Sequence, residues 1–317
     1  MLSNIRTSID AAQRTMEVIN TDKKLRLLQS MQLRSPTEKG RGELSRFILE
    51  IRREYENVYL AATESAEMRI LSTQQYNLKE SQFALQYQKE IAKVLMRLQQ
   101  YYECSLFLPI LGNKTRVIEN PYYKGSNYYG TYAVEACCRS DNKEELLNRD
   151  KFRCRATGRK DLSMAKQGTG IPNNWNPFLT DYLQAAHIIP YFLNNFKDKT
   201  EKKMHRIIWQ ALNEFSGYDL SKLKGKGIND LSNMFMLCPS AHKMHDDLRL
   251  SFYPSPENAN KYNIKTYDKT ANWLDVVTPV DLHTNINKEW LAIHHAMCEV
   301  LQECGSYDEL KKLSSAM

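Results

Sequence analysis

Three side chains in the second half of the chain, His187, His242 and Asp246, have types and spacing that could do chemistry. His187 stands in Ala-Ala-His-Ile-Ile-Pro, which ends at Pro190. Its imidazole is neutral near pH 7 and can take a proton from water. A lone histidine before two isoleucines is otherwise a satisfied core residue. Downstream, Asn233 opens the run Asn-Met-Phe-Met-Leu-Cys-Pro-Ser-Ala-His, which closes on His242. Pro239-Ser240 suits the start of a helix, and on that helix His242 and Asp246 lie one turn apart. An imidazole nitrogen and a carboxylate oxygen can therefore converge on one divalent ion. A solvated acidic helix face is the competing account of Asp246 and Asp247, with His245 and Asp247 as substitute ligands. Asn233, after Asp230-Leu231-Ser232, also suits a turn.

Taken together, His187-Ile-Ile-Pro, Asn233 and His242 resemble the signature of the HNH nucleases in the arrangement common among fungal proteins. The resemblance spans roughly residues 145 to 255, ending at the strand-like Leu250-Ser-Phe-Tyr-Pro254. It implies a ββα-metal core and a metal-dependent endonuclease that hydrolyses phosphodiester bonds of nucleic acid, DNA in the first instance. By the family pattern His187 is the general base, and Asn233 fixes it through a side-chain or backbone hydrogen bond. His242 is a metal ligand, with Asp246 the second. The ion would stabilise charge on the leaving oxygen. Magnesium or manganese suits a carboxylate with water, while imidazole ligation also fits zinc or nickel.

Two departures from the family pattern matter. Many relatives carry Asp or His immediately before the base, where it binds metal, and this chain has Ala186. Fungal-type relatives share Ala-His-Ile, so the change implies a more open site completed by water and substrate phosphate. Many relatives also carry two Cys pairs; here Thr157 stands for the second Cys after Cys154, and Ala241 for the partner of Cys238. Two thiols cannot close a tetrahedral structural zinc site, so these cysteines read as small buried residues. The rival to an enzyme is an HNH-fold protein that binds nucleic acid or a protein partner without cleaving.

The rest of the chain must position these residues. Its 317 residues exceed one average domain. A surplus of 44 Lys+Arg over 37 Asp+Glu suits a polyanionic partner. Lys222, Lys224 and Lys226, alternating with Leu223, Gly225 and Gly227, form a basic loop just ahead of Asn233 that reads as phosphate attraction or as solubility. Seven cysteines without a disulfide rhythm, no signal-peptide segment and no membrane-length apolar run place the protein in the nucleus or cytoplasm.

Apolar residues spaced four and three apart at Ile5–Ile19, Leu44–Val58 and Ala84–Tyr101 predict three amphipathic helices, broken near Ser35-Pro36 and near Ser72-Thr73. Such seams pack within a bundle or form a homodimeric coiled coil. Tyr122, Tyr123, Tyr128, Tyr129 and Tyr132 predict short strands, as do Cys137-Cys138; Asp141–Arg149 predicts a short helix. Ile207, Ile208, Leu212 and Phe215 predict a helix within an insertion. Tyr262–Tyr267 and Trp273–Val277 read as strands, and Glu289–Cys304 as a helix stopped by Gly305. His294 and His295 on that helix read as structural. The expected architecture is α+β: a helical region over residues 1–108, a linker with short strands over 109–144, the nuclease core over 145–255 and a strand-helix extension over 256–317.

Overall fold

The helical seams close on one another rather than facing solvent along their whole length. The computed structural model describes residues 10–12, 25–65, 71, 73–112, 117–121, 142–163, 180–258, 261–268, 274 and 276–315. Helix α1 (Arg26–Arg34) stops at Ser35, ahead of Pro36, and α2 (Glu38–Thr63) starts where the Thr37 side chain accepts from Gly40 N. α3 (Thr73–Tyr102) runs on through a π-turn (Glu103–Phe107) and a last turn (Leu108–Ile110). α2 and α3 pack together, and Leu44, Phe47, Ile48 and Ile51 on one and Ile91, Leu95 and Leu98 on the other are buried. The first predicted seam, Ile5–Ile19, lies outside the described residues except for positions 10–12, which are helical. The tyrosine-rich stretch and Cys137-Cys138 lie outside them too.

After α4 (Lys143–Arg149) come the two-residue strands β1 (Lys160–Asp161) and β2 (Thr180–Asp181), which pair in parallel. β3 (Gln184–His187) pairs antiparallel with β4 (Met234–Leu237), setting His187 opposite Met234 and Gln184 opposite Leu237. α6 (Pro239–Asp246) follows β4 at once, with Pro239 in its first turn. Between the strands runs the insertion helix α5 (Lys199–Ser216), capped by the Asp198 carboxylate and ended by left-handed Gly217. The lysine segment is a chain of short 3₁₀ turns, Ser221–Leu223, Gly225–Asn229 and Leu231–Asn233. The Asn194 side chain pins it by donating to the Leu223 and Gly225 carbonyls.

β5 (Leu250–Pro254), β6 (Lys261–Thr266) and β7 (Val280–Asp281) form an antiparallel sheet in that order. The expectation of a strand over Trp273–Val277 is corrected here. Among its described residues Val276 and Val277 are not strand, and the Val277 N–H instead meets the Ala156 carbonyl at 2.8 Å, with β7 forming further on. α7 (Lys288–Cys304) ends at left-handed Gly305, and α8 (Tyr307–Ser315) closes the described chain.

The fold is α+β, and its elements interlock across the sequence. α1 packs on α7, with Arg34 paired to Glu303 at 2.9 Å. α2 packs on α5 so closely that a Cβ on Gly40 would collide with the Phe215 carbonyl. Buried Glu214 on α5 accepts from Gln210 at 2.8 Å, Tyr101 at 3.1 Å and Asn120 at 3.3 Å, tying α5 to the end of α3. No described helix is long and apolar enough to cross a membrane.

Candidate active site

His187 is the last residue of β3 and is buried to 7% exposure. Hydrogen bonds fix the backbone that follows it. Asn233 accepts from Ile188 N through its own carbonyl at 2.8 Å and from Ile189 N through Oδ1 at 2.9 Å. The Asn233 amide also donates to the Ile189 carbonyl at 3.0 Å and to the Ile228 carbonyl at 2.9 Å. These bonds grip the main chain beyond the base. On the ring itself, His187 Nε2 lies 3.2 Å from Asn229 Oδ1, and Tyr191 stands at a centroid distance of 5.7 Å.

The turn that carries Asn233 is held from outside by a buried ion pair. Arg149 pairs with Asp150 at 2.8 Å and donates to the Leu231 carbonyl at 2.6 Å and the Met234 carbonyl at 2.7 Å. Asp150 in turn accepts from Met236 N at 2.8 Å. α4 thus clamps the edge of β4 away from β3.

α6 presents His242 and Asp246 as the one-turn spacing predicted. His242 Nε2 lies 3.4 Å from Asp246 Oδ2, and His242 Nδ1 lies 2.8 Å from Gln184 Oε1. Burial pushes the Asp246 carboxyl up. The neighbouring His245 imidazole, with Nδ1 at 4.0 Å from Oδ1, and the charges of His242 and Lys243 outweigh it and hold the carboxyl below its ordinary range. Its side chain is 56% exposed, consistent with an ionised group. His187, His242 and Asp246 line one open pocket of about 340 Å³, together with Lys243, Asp247, Pro190, Tyr191 and Phe192. Ile110, Leu111 and Gly112, from the end of the N-terminal helices, form its far wall.

The substitute ligands are occupied elsewhere. Asp247 pairs with Lys311 of α8 at 2.6 Å and Lys243 at 3.0 Å. His245 is 1% exposed, stacked on His294 at 3.8 Å and edge-on to Phe235 at 5.3 Å; neither of its ring nitrogens has a hydrogen-bond partner. Ala186 is fully buried. Among the described residues no group of three or more His, Cys, Asp or Glu side chains is placed to hold a metal. His242 Nε2 and Asp246 Oδ2 nevertheless fit a shared cation. With a proton on Nε2 the contact is an ion pair, and with a cation in that place water can fill the remaining positions of a hard ion.

Cys154 and Cys238 meet where a zinc site would lie. Cys238 N and Thr157 N donate to Cys154 Sγ at 3.2 and 3.4 Å, and the Thr157 hydroxyl donates to Cys238 Sγ at 3.7 Å. Burial raises the Cys154 thiol, but these donors, Cys238 first, bring it down to about 6. Cys238 moves up because its thiol is the donor to Cys154 and is itself buried. Hydrogen bonds join the two segments here.

Lys222 and Lys226 are exposed and Lys224 is half-buried, on the turns that lead into Asn229. Lys243, Gln184 and Asn229 are site residues that the sequence did not single out. Lys243 directly follows His242, which was the one available signal for it. The two amides had none, because their partners are remote in sequence.

An antiparallel strand pair leading straight into a helix, with an imidazole on each, is a ββα arrangement. Residues 154–253 match the family described as HNH endonuclease. The match covers a little under a third of the chain and includes all four candidate site residues. No curated protein and no solved structure matches the chain.

Proposed function

We propose that this chain is a metal-dependent endonuclease that hydrolyses phosphodiester bonds of nucleic acid, DNA in the first instance. The observation that carries this is the convergence of His187, His242 and Asp246 on one open pocket inside the HNH region. His187 takes the proton of the attacking water. Asn233 holds the base by fixing the backbone at Ile188 and Ile189. His242 and Asp246 hold a divalent ion, magnesium or manganese by the carboxylate and zinc or nickel by the imidazole. When bound, that ion supplies stabilisation of negative charge on the leaving oxygen. Lys222, Lys224 and Lys226 draw the phosphate backbone toward the site.

Residues 145–255 are the catalytic unit in this reading, and the flanking helices are its scaffold. A second copy of the chain pairs through the outer parts of α2 and α3, where Val58, Leu60, Leu78 and Leu85 are exposed; a concentration-dependent mass tests that.

The decisive assay is cleavage of plasmid and single-stranded DNA with magnesium, manganese, zinc or nickel, comparing the wild type with His187→Ala and His242→Ala. Loss of the base is expected to lower the rate about 10²–10⁴-fold, with chelator abolishing cleavage. Equal activity in all three proteins would sink the assignment. Buried Ala186 favours one second reading, a nucleic-acid-binding protein without turnover. Salt-sensitive DNA binding with no cleavage under any metal is its signature.

A further inference from the structure

We infer that Lys243 binds a backbone phosphate of the nucleic acid entering the pocket, and that Lys311, from outside the HNH region, keeps the positive charge of Lys243 available for it. This deepens the nuclease reading and rests on it for the substrate. Lys243 follows His242 on α6, lines the pocket and has a side chain 70% exposed. Its ammonium lies 3.0 Å from Asp247 Oδ1, one helical turn on. The Lys311 ammonium, 64 residues from Asp247 in sequence, lies 2.6 Å from that same oxygen. The Asp247 side chain is only 9% exposed, so its carboxylate meets the two ammoniums with little competition from water.

The charge count decides what this arrangement can do. An ion pair that merely docked α8 would be complete with Lys311 and Asp247. The second ammonium leaves a unit of positive charge at the pocket, and the more exposed of the two is Lys243. A lysine ammonium offers three N–H donors and a phosphate oxygen accepts, so Lys243 can keep Asp247 and still donate to a phosphate. The pairs His242–Asp246 and Lys243–Asp247 are offset by one residue along α6. A strand whose scissile phosphate sits at the first pair therefore brings a neighbouring phosphate to the second. Lys311 is placed by its own helix, since Leu310 beside it is buried and α8 packs on the Leu108–Ile110 turn. These two lysines are separate from Lys222, Lys224 and Lys226, which lie on and between the short turns ahead of Asp230. Lys243 is thus a binding residue, and Lys311 is a positioning residue that acts through Asp247.

The test is binding of a labelled oligonucleotide, single-stranded and as a duplex, to the full chain across a salt series with chelator present, so that no turnover intervenes. Each phosphate contact contributes about 1 to the slope of log affinity against log salt. Lys243→Gln should therefore lower that slope by about 1 on the form bound more tightly. Lys311→Gln should lower it similarly, because Asp247 then cancels Lys243. Lys311→Arg should keep the wild-type slope. Lys312→Gln makes the same charge change on an exposed position of the same helix and should leave the slope alone. Adding Asp247→Asn to Lys311→Gln removes the cancelling carboxylate and should restore the slope.

In cleavage with manganese, Lys243→Gln should raise KM and hold kcat, since a flanking phosphate is bound alike in the ground state and the transition state. Folded Lys243→Gln or Lys311→Gln proteins with the slope of Lys312→Gln overturn the inference, as does a wild type that binds no nucleic acid. Cleavage that persists while the slopes ignore both lysines overturns the inference alone. Slopes that change as expected in a chain that never cleaves overturn the nuclease reading alone.

Discussion

Asn233 has an unusually heavy structural duty for one buried side chain. Its amide satisfies the Ile189 N–H and the carbonyls of Ile189 and Ile228, none of which has water as a ready substitute. Leaving such groups unpaired costs about 1–3 kcal/mol each. Asn233→Ala is therefore expected to lose several kcal/mol of stability in a denaturant titration and to lose cleavage with it. Asn233→Asp keeps the acceptor for Ile189 N but sets a carboxylate against two carbonyls, and should rescue neither. Retention of wild-type stability by Asn233→Ala would mean that the turn is held by Arg149 alone. His187, Asn233, His242 and Asp246 were legible in the sequence because their types and order are specific and, for the last two, one helical turn fixes their geometry. Gln184 and Asn229 were not legible. An amide that bonds an imidazole 42 or 58 residues away leaves no periodicity and no local spacing to read.

At the scale of elements, helices with strong three-four spacing were legible and short strands without alternation were not, which is why β7 formed beyond the segment expected to be a strand. The docking of α7 onto α6 was hidden as well, since it depends on His294 stacking on His245 and lying with Nε2 at 3.1 Å from the His245 carbonyl. Burial drives the His294 pKa well below its ordinary value, and the nearby His245 charge adds to the effect. The unfolded chain protonates this imidazole near pH 6.5 and the folded chain does not, so below that pH the unfolded state binds more protons and stability falls. One such group contributes a slope of at most about 1.4 kcal/mol per pH unit. His295 is shifted in the same direction, also by burial first. Unfolding free energy measured from about pH 7 to about pH 5 should thus decline in the wild type. It should decline less steeply in His294→Gln, and identical slopes would mean that His294 takes up its proton while folded.

The whole molecule meets at the pocket. Ile110 and Leu111, at the end of the N-terminal helices, wall it on one side, and Lys311 of α8 reaches Asp247 beside it at 2.6 Å. α8 in turn packs on the Leu108–Ile110 turn, so the described parts from both sides of the HNH region touch each other across it. Nothing in the local sequence announces such contacts, because they join residues far apart in the chain. Beneath the site, Leu250 and Phe252 of β5 are buried where α7 covers the sheet, and Phe215 of α5 meets Phe107 edge-on at 6.4 Å. Cutting the chain to residues 145–255 would expose these side chains at about 1.5–3 kcal/mol each. It would also leave Asp247 without Lys311 and Glu214 without its tyrosines. A domain of that size has only about 5–15 kcal/mol of net stability to lose. The 145–255 fragment is therefore expected to show no cooperative thermal transition and rapid proteolysis, where the full chain unfolds in one step. A fragment that melts cooperatively and cleaves DNA at the full-length rate would show that the flanking helices serve partner binding instead of holding the site together.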